Sequence, residues 1–449
     1  MLTEKLIKVS MPAIGRVSNT MVARNTMALA LVAVLVLGLA AGYGLAVATG
    51  SGRVTTATVG GSVATVTVTS APTKKVFSIG VTLPLSGELS SIGKIWEKVV
   101  QLAFEDLNRE VQAYGFNVEF RAVVLDDGTS EEKALQNVQS FAQQGIKVVI
   151  GPATSAQVKV VKSYVDSNKI VIISPSSTAP TLAIPNDFIF RTVGSDAGQA
   201  KVLATLAFQE GVRKVVVFHR NDEYGKAFAD FFERYFKELG GTAIKIPYQT
   251  GLPDYASEVA ALASRVQSEG ADAVVLIAFD TDGANILSHA AESPVLSGVR
   301  WFISEGPHSA EELLSQAIGQ FASKVRLLGT RPLFIANPLY EDLKKRMVQR
   351  FGVEPSVFCE NLYDAVKLAG WAILRAGTYD GEAIRAALVE VAKTYYGPSG
   401  WTMFDPQGDK AQQDYGIWAI VPGGPKGYQF KDVGLYERGT VIFLEQPYQ

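Results

Sequence analysis

The stretches VFSIGVTLPL (76–85), VEFRAVVLDD (118–127) and KVVIG (147–151) decide the fold, because they are apolar almost throughout and are separated by segments of helical periodicity. Strands of this composition are typical of parallel sheets that are covered on both faces. The intervening segments 92–111 and 131–145 place apolar residues on one helical face. The alternation therefore predicts right-handed βαβ crossovers in an open, doubly wound α/β sheet.

The same alternation of apolar strands and helices continues through KVVVFH (214–219) and ADAVVLIA (271–278) to VRWFIS (299–304). Helices are predicted from 338 to 393. This amounts to two sheets of βα units in one chain, which predicts two α/β lobes. The crevice between two such lobes is the expected place for a ligand.

The N-terminal region contains an uncharged apolar run at 27–48, MALALVAVLVLGLAAGYGLAVA, preceded by four basic residues and followed closely only by Arg53. A membrane span needs about 20 apolar residues, and the positive-inside rule places the basic flank in the cytoplasm. We therefore expect a short cytoplasmic segment at 1–26 and a transmembrane anchor at 27–48, with the rest of the chain outside. The alternative is a long signal peptide cleaved near Ala48.

Threonine, serine and glycine dominate residues 49–75, which predicts a stalk that lifts the following domain off the membrane. Within it, the β-branched alternation SVATVTVT (62–69) is also compatible with a paired strand.

Composition and motifs argue against several classes of function. The 449 residues carry 42 basic and 44 acidic side chains, so no general affinity for nucleic acid is expected. Cys359 is the only cysteine, which excludes an intramolecular disulfide and a cysteine-ligated metal site. No dinucleotide fingerprint follows a strand, and His219, His289 and His308 have no metal-ligand spacing and are expected on the surface or in loops. We expect no enzyme activity, no cofactor and no metal.

Polar residues follow several predicted strands, where open α/β sheets bind ligands. Ser155 opens a helix whose free N–H groups suit a carboxylate, and Ser176 and Thr178 lie in a proline-flanked loop. Glu305 suits a cation, and Tyr224 provides an aromatic wall. Together they predict a zwitterion site. Each residue also has a plainer interpretation. Ser155 could be a helix N-cap, and Ser176 and Thr178 could only shape a turn. Glu305 could be a solvated acid in a loop, and Tyr224 could pack on its own helix.

From about Phe77 onward the chain resembles the extracellular binding proteins for leucine, isoleucine, valine and related ligands that serve ABC importers. The resemblance is carried in order by SIGVTLPLSGELSSIG, VVIGPATSAQV, IISPSSTAPTL with FIFRTVGSD, NDEYGKAFADFF, PDYASEVAALASRVQSEGADAVVL and FISEGPHS. It implies the type I periplasmic-binding fold.

The resemblance also implies roles for individual residues. Ser155 and Thr178 match the residues that hold the α-carboxylate, the carbonyl of Ser176 and the side chain of Glu305 match those that meet the ammonium, and Tyr224 matches the aromatic residue that closes over the ligand. The chain departs from the family pattern where Phe279 stands in place of a common tyrosine, and where Ile92 replaces an aromatic residue. These departures leave aliphatic and aromatic amino acids, amides and small carboxylates open.

The implied lobes are discontinuous, with 76–193 and 332–400 in lobe 1 and 194–331 and 401–449 in lobe 2. Three hinge strands are expected near Thr192, Gly329 and Gly400. The implied function is capture of an amino acid by hinge closure at the cell surface and its delivery to ABC permease and ATPase subunits.

Two other functions remain open. One is a ligand-sensing receptor domain for amides or small carboxylates. The other is an exported hydrolase, for which no nucleophile–base pair is identified.

Overall fold

The computed structural model describes residues 54–59, 62–67, 74–308, 310–333 and 337–448. The chain divides into two units, 1–73 and 74–449. In the first, strands β1 (Val54–Val59) and β2 (Ser62–Thr67) form an antiparallel hairpin, so the alternating stretch pairs as a strand. The predicted anchor at 27–48 lies outside the described residues. Within the part of the chain that is described, no helix is both long enough and apolar enough to cross a membrane.

The second unit alternates strands and helices, as the spacing of its apolar residues predicts. Its strands are β3 (Lys75–Leu83), β4 (Val118–Asp126), β5 (Val148–Ile150), β6 (Val171–Ser174), β7 (Ile189–Arg191), β8 (Lys214–Arg220), β9 (Thr242–Tyr248), β10 (Ala273–Ile277), β11 (Arg300–Ile303), β12 (Leu328–Leu333), β13 (Tyr396–Gly397), β14 (Gly400–Trp401), β15 (Asp414–Pro422), β16 (Tyr428–Glu437) and β17 (Thr440–Phe443). Its helices are α1 (Ser90–Ala113), α2 (Glu131–Gln143), α3 (Ser155–Asn168), α4 (Asp196–Gln209), α5 (Glu223–Glu238), α6 (Ala256–Glu269), α7 (Asp280–Glu292), α8 (Gln316–Val325), α9 (Pro338–Phe351), α10 (Cys359–Ala376) and α11 (Gly381–Ala392).

Lobe 1 is built on a five-stranded sheet in the order β4-β3-β5-β6-β7, and every pair in it is parallel. The apolar face of α1, including Val99 and Leu107, packs into its core. The late helices α9, α10 and α11 join the same core through residues such as Met347 and Leu362. Lobe 1 is therefore assembled from two distant parts of the chain.

Lobe 2 contains an eight-stranded sheet in the order β17-β16-β15-β12-β11-β10-β8-β9. The strands from β8 to β12 are parallel, which confirms the predicted doubly wound pattern, whereas β15, β16 and β17 add an antiparallel extension. The extension was not predicted. It forms because β15, buried along almost its whole length, pairs with the otherwise free edge of β12.

The chain passes between the lobes after β7, between β12 and α9, and before β15. Thr192 lies at the first crossing, where its hydroxyl donates to the carbonyl oxygen of Asn361 at 2.9 Å. Gly329 pairs with Trp418 inside β12, the strand that leads to the second crossing, and Gly400 lies in the small β13–β14 hairpin.

The N-cap of α2 is Ser130, whose hydroxyl accepts the amide of Lys133. Thr129, just before it, has φ of 58°, and its hydroxyl accepts the amide of Leu89 at 3.1 Å. His219 was expected at the surface but is buried, because β8 is covered on both faces.

Candidate functional site

A cavity lies between the two lobes, and all six residues predicted for the site line it. The empty space in it is about 420 Å³, part of which is open to solvent. Lobe 1 contributes Ser155, Ser176 and Thr178, and lobe 2 contributes Tyr224, Phe279 and Glu305. The cavity therefore presents polar and aromatic groups from both sides.

The wall at the start of α3 is organised around a buried hydroxyl. The N-cap is Thr154, which forms a reciprocal capping box with Gln157, so the N-cap alternative for Ser155 is wrong. The Ser155 oxygen instead accepts the amides of Thr178 and Ala179, at 3.2 and 3.1 Å. Because both bonds use the oxygen as acceptor, the hydroxyl hydrogen is left to donate to an anionic group in the cavity.

The proline-flanked loop is held in one shape by its own hydrogen bonds. The Ser176 hydroxyl donates to the carbonyl of Ala153 at 2.8 Å, which joins the loop to the segment before α3. The carbonyl of Thr178 accepts the amide of Asp196 at 2.8 Å, which ties the loop to the start of α4. Arg191, itself buried, donates to the loop carbonyl of Ala179 at 2.8 Å. The loop is a preformed part of the wall.

The acidic side of the cavity is buried, so the solvated alternative for Glu305 is wrong. Glu305 is 3% exposed and follows β11, and its Oε2 accepts the side-chain amide of Gln199 at 2.6 Å. Burial raises the pKa of its carboxyl. Asp196 is also buried, beside Thr178, and burial followed by repulsion from Glu305 raises the pKa of its carboxyl. A cationic ligand group would complement this region.

Two aromatic side chains form the lobe 2 wall. The rings of Tyr224 and Phe279 stack with centroids 5.4 Å apart and an interplanar angle of 15°. The Tyr224 hydroxyl is buried beside Glu305 and Ser304, and its pKa is raised by burial and then by Glu305. Phe279 precedes α7, and its amide donates to Asp282 at 2.8 Å. Tyr224 thus packs against another element of the site rather than only on its own helix.

The apolar wall contains Ile92, to which the family resemblance points, and four residues that the sequence did not indicate as binding residues. These four are Leu89, Trp96, Val357 and Phe358. The Trp96 indole donates to the carbonyl of Val357 at 3.1 Å, which joins α1 to the approach of α10. Phe358 has φ of 66°, a strained conformation for a bulky residue. No local signal marks Val357 and Phe358, because folding alone brings this segment to the cavity.

This arrangement can bind a small molecule that carries an anion, a cation and an apolar group. The N-terminus of α3 and the Ser155 hydroxyl attract the anion, the carboxyl of Glu305 attracts the cation, and the apolar wall excludes water. Among the residues that the structure describes, no cluster of histidine, cysteine, aspartate and glutamate could hold a metal ion.

Comparison with known proteins gives one consistent result. The family model described as periplasmic binding protein matches residues 76–425. An uncharacterised protein of Methanocaldococcus jannaschii is 29% identical over 399 residues, covering 84% of this chain and 93% of that protein. The leucine-, isoleucine-, valine-, threonine- and alanine-binding protein of Pseudomonas aeruginosa is 24% identical, with 75% and 87% covered.

The same fold is found among solved structures. A leucine-binding protein of Thermotoga maritima aligns with a TM-score of 0.68 at 22% identity, covering 82% of this chain and 99% of that one. The predicted type I periplasmic-binding fold of the two lobes is confirmed.

Proposed function

The chain belongs to the periplasmic binding protein family, and we propose that it captures a free amino acid with an apolar side chain and delivers it to an ABC importer. One observation carries the proposal. Hydroxyl residues of lobe 1 and an acidic residue of lobe 2 line a single cavity together with several apolar side chains. The named specificities of the relatives from Pseudomonas aeruginosa and Thermotoga maritima support the same ligand class.

Each part of the ligand has a matching part of the cavity. The α-carboxylate accepts the Ser155 hydroxyl hydrogen beside the N-terminus of α3, and Thr178 lies next to it. The ammonium lies toward Glu305, where a cation lowers the free energy of the ionised carboxyl. The side chain contacts Phe358 and Trp96, and the indole N–H of Trp96 is already donated to the carbonyl of Val357. Neither residue therefore offers a free polar group to a hydroxyl or amide. The proposal includes no catalytic step.

Closure and delivery complete the proposal. Ligand contacts to both lobes favour the closed form, which the permease recognises. The apolar run at 27–48 tethers the chain to the cytoplasmic membrane with the lobes outside. Membrane fractionation before and after deletion of this run tests the tether. A chain that stays with the membrane after the deletion would contradict it.

Thermal unfolding of the purified full chain in mild detergent tests the ligand class. The panel contains L-leucine, L-isoleucine, L-valine, L-phenylalanine, their amides, and small carboxylates without an amine. At about 100 times its dissociation constant, a true ligand stabilises the fold by about 2.7 kcal/mol. We expect a shift with branched-chain amino acids that is lost in Ser155→Ala and Glu305→Gln and retained in the controls Ser264→Ala and Glu311→Gln, which change exposed residues.

The outcomes separate the alternatives. A shift with carboxylates that lack an amine would contradict the role of Glu305 and favour the sensor for small carboxylates. A panel without any shift would contradict the capture of amino acids.

A further inference from the structure

Arg220, at the end of β8, is surrounded by three carboxylates, one of which belongs to the other lobe. Its guanidinium donates to Asp222 at 2.7 Å and to Asp282 at 2.5 Å within lobe 2. It also donates to Glu88 of lobe 1 at 2.8 Å. The Arg220 side chain is 4% exposed and that of Glu88 is 26% exposed, so this ion pair lies at the rim of the cleft, partly shielded from water.

The same guanidinium contacts the aromatic wall of the cavity. Its central carbon lies 3.8 Å from the centroid of the Phe279 ring, a cation–π contact, and Phe279 in turn stacks on Tyr224. Asp282 strengthens the link, since one of its oxygens accepts from Arg220 and the other accepts the amide of Phe279. Arg220 therefore joins an acid of lobe 1 to a ring that lines the cavity.

Two further contacts cross the cleft beside this ion pair. The Thr281 hydroxyl donates to the carbonyl of Glu88 at 2.9 Å, and the Ser91 hydroxyl donates to Asp280. Glu88 is thus held by lobe 2 through both its side chain and its backbone. Direct contacts between the lobes contribute to closure in addition to any contact made by a ligand.

We propose that Arg220 is a positioning residue, which holds Phe279 in the cavity wall and, through its ion pair with Glu88, sets how long the closed cleft retains its ligand. The inference rests on the proposed function, because it concerns the lifetime of a ligand in that cavity. Neither residue of the ion pair lines the cavity.

Glu88→Gln separates this role from folding. Arg220 keeps both carboxylates of its own lobe in this variant, so no buried charge is left unpaired and lobe 2 remains intact. The control is Glu119→Gln, which removes the same charge from an ion pair with Arg121 that lies wholly within β4. Both variants are expected to unfold at the wild-type temperature without ligand.

The first measurement is stopped-flow fluorescence of the full chain with L-leucine as the probe, since Trp96 lines the cavity. We expect Glu88→Gln to raise the dissociation rate constant roughly tenfold at low salt, with less than a roughly twofold change in the association rate constant. In about 1 M salt the difference between this variant and the wild type should shrink, because screening weakens a partly exposed ion pair. Glu119→Gln should leave both rate constants unchanged. Equal dissociation from wild type and Glu88→Gln at low salt would overturn the proposal.

The second measurement needs no ligand. Amide hydrogen exchange in the segments 88–96 and 280–286 should be faster in Glu88→Gln than in the wild type and unchanged in Glu119→Gln. If L-leucine does not bind the wild type, the proposed ligand class fails, and hydrogen exchange alone decides the role of the ion pair. Equal exchange in all three proteins would then overturn it.

Discussion

Replacement of Ser155 by alanine tests the organisation of the cavity wall most directly. Its oxygen accepts two amides from the proline-flanked loop, and the residue is 2% exposed. Alanine would leave both buried N–H groups without an acceptor, at a cost of about 1–3 kcal/mol for each. We therefore expect the free energy of unfolding to fall by about 2–6 kcal/mol.

The same chain offers a matched control two residues past Pro175. Ser177 is also fully buried, but its hydroxyl has no hydrogen-bond partner. Ser177→Ala therefore removes an unsatisfied polar atom, and the free energy of unfolding should stay within about 0.5 kcal/mol of the wild type or increase. The two variants make the same chemical change with opposite expected results.

Urea unfolding followed by tryptophan fluorescence compares the two variants with the wild type. Calorimetry with L-leucine adds the second half of the prediction, a loss of affinity of roughly 10- to 100-fold for Ser155→Ala, as expected for a lost hydrogen bond to a charged group. An unfolding free energy of Ser155→Ala within about 0.5 kcal/mol of the wild type would refute the reasoning. So would an equal loss of stability in Ser177→Ala.

Three further predictions concern burial and packing. Burial raises the pKa of the Glu305 carboxyl, so this group contributes its full stabilisation below the ordinary carboxyl pKa and loses it as the pH rises through the raised pKa. The melting temperature of Glu305→Gln should therefore depend less on pH than that of the wild type above about pH 4. Gly329→Ala should lower the free energy of unfolding by at least about 1–3 kcal/mol in urea, because the new Cβ would lie 2.0 Å from the buried ring of Trp418. Asp409→Asn should lower it by about 3–5 kcal/mol, because Arg191, 1% exposed, loses a charged partner 2.5 Å away.

Each of these variants has a control at an exposed or open position. Glu311→Gln should leave the pH dependence of the melting temperature unchanged, and a similar flattening in both glutamate variants would contradict the first prediction. Gly298→Ala adds a Cβ that meets no atom within 4 Å, so it should lower the free energy of unfolding far less than Gly329→Ala. Asp230→Asn removes an exposed partner of Lys245. If it lowered the free energy of unfolding as much as Asp409→Asn does, burial of the ion pair would not explain the destabilisation.

Much of the site was predictable because it follows a topological rule. Parallel strands of an open α/β sheet end at the same edge, so polar residues just past several strands converge there. Ser155, Thr178 and Glu305 were selected on this basis and by resemblance, and all three line the cavity. Whether they bind a ligand remains a prediction. Trp96 shared the pattern of an ordinary core residue of α1, so nothing in the sequence marked it as part of the wall.

Local sequence determined the alternation of strands and helices and the two-lobe α/β class, because periodicity and residue type act over a few residues. The tertiary structure decided which polar atoms have hydrogen-bond partners and which side chains are buried. It joined the Ser155 hydroxyl to the amides of Thr178 and Ala179, and it buried Glu305 beside Asp196. It also brought Phe358 to the same cavity as Ser155, although the two residues are more than two hundred positions apart in the chain. Burial and hydrogen bonding depend on neighbours that are distant in the chain, and only the folded packing of the two lobes supplies them.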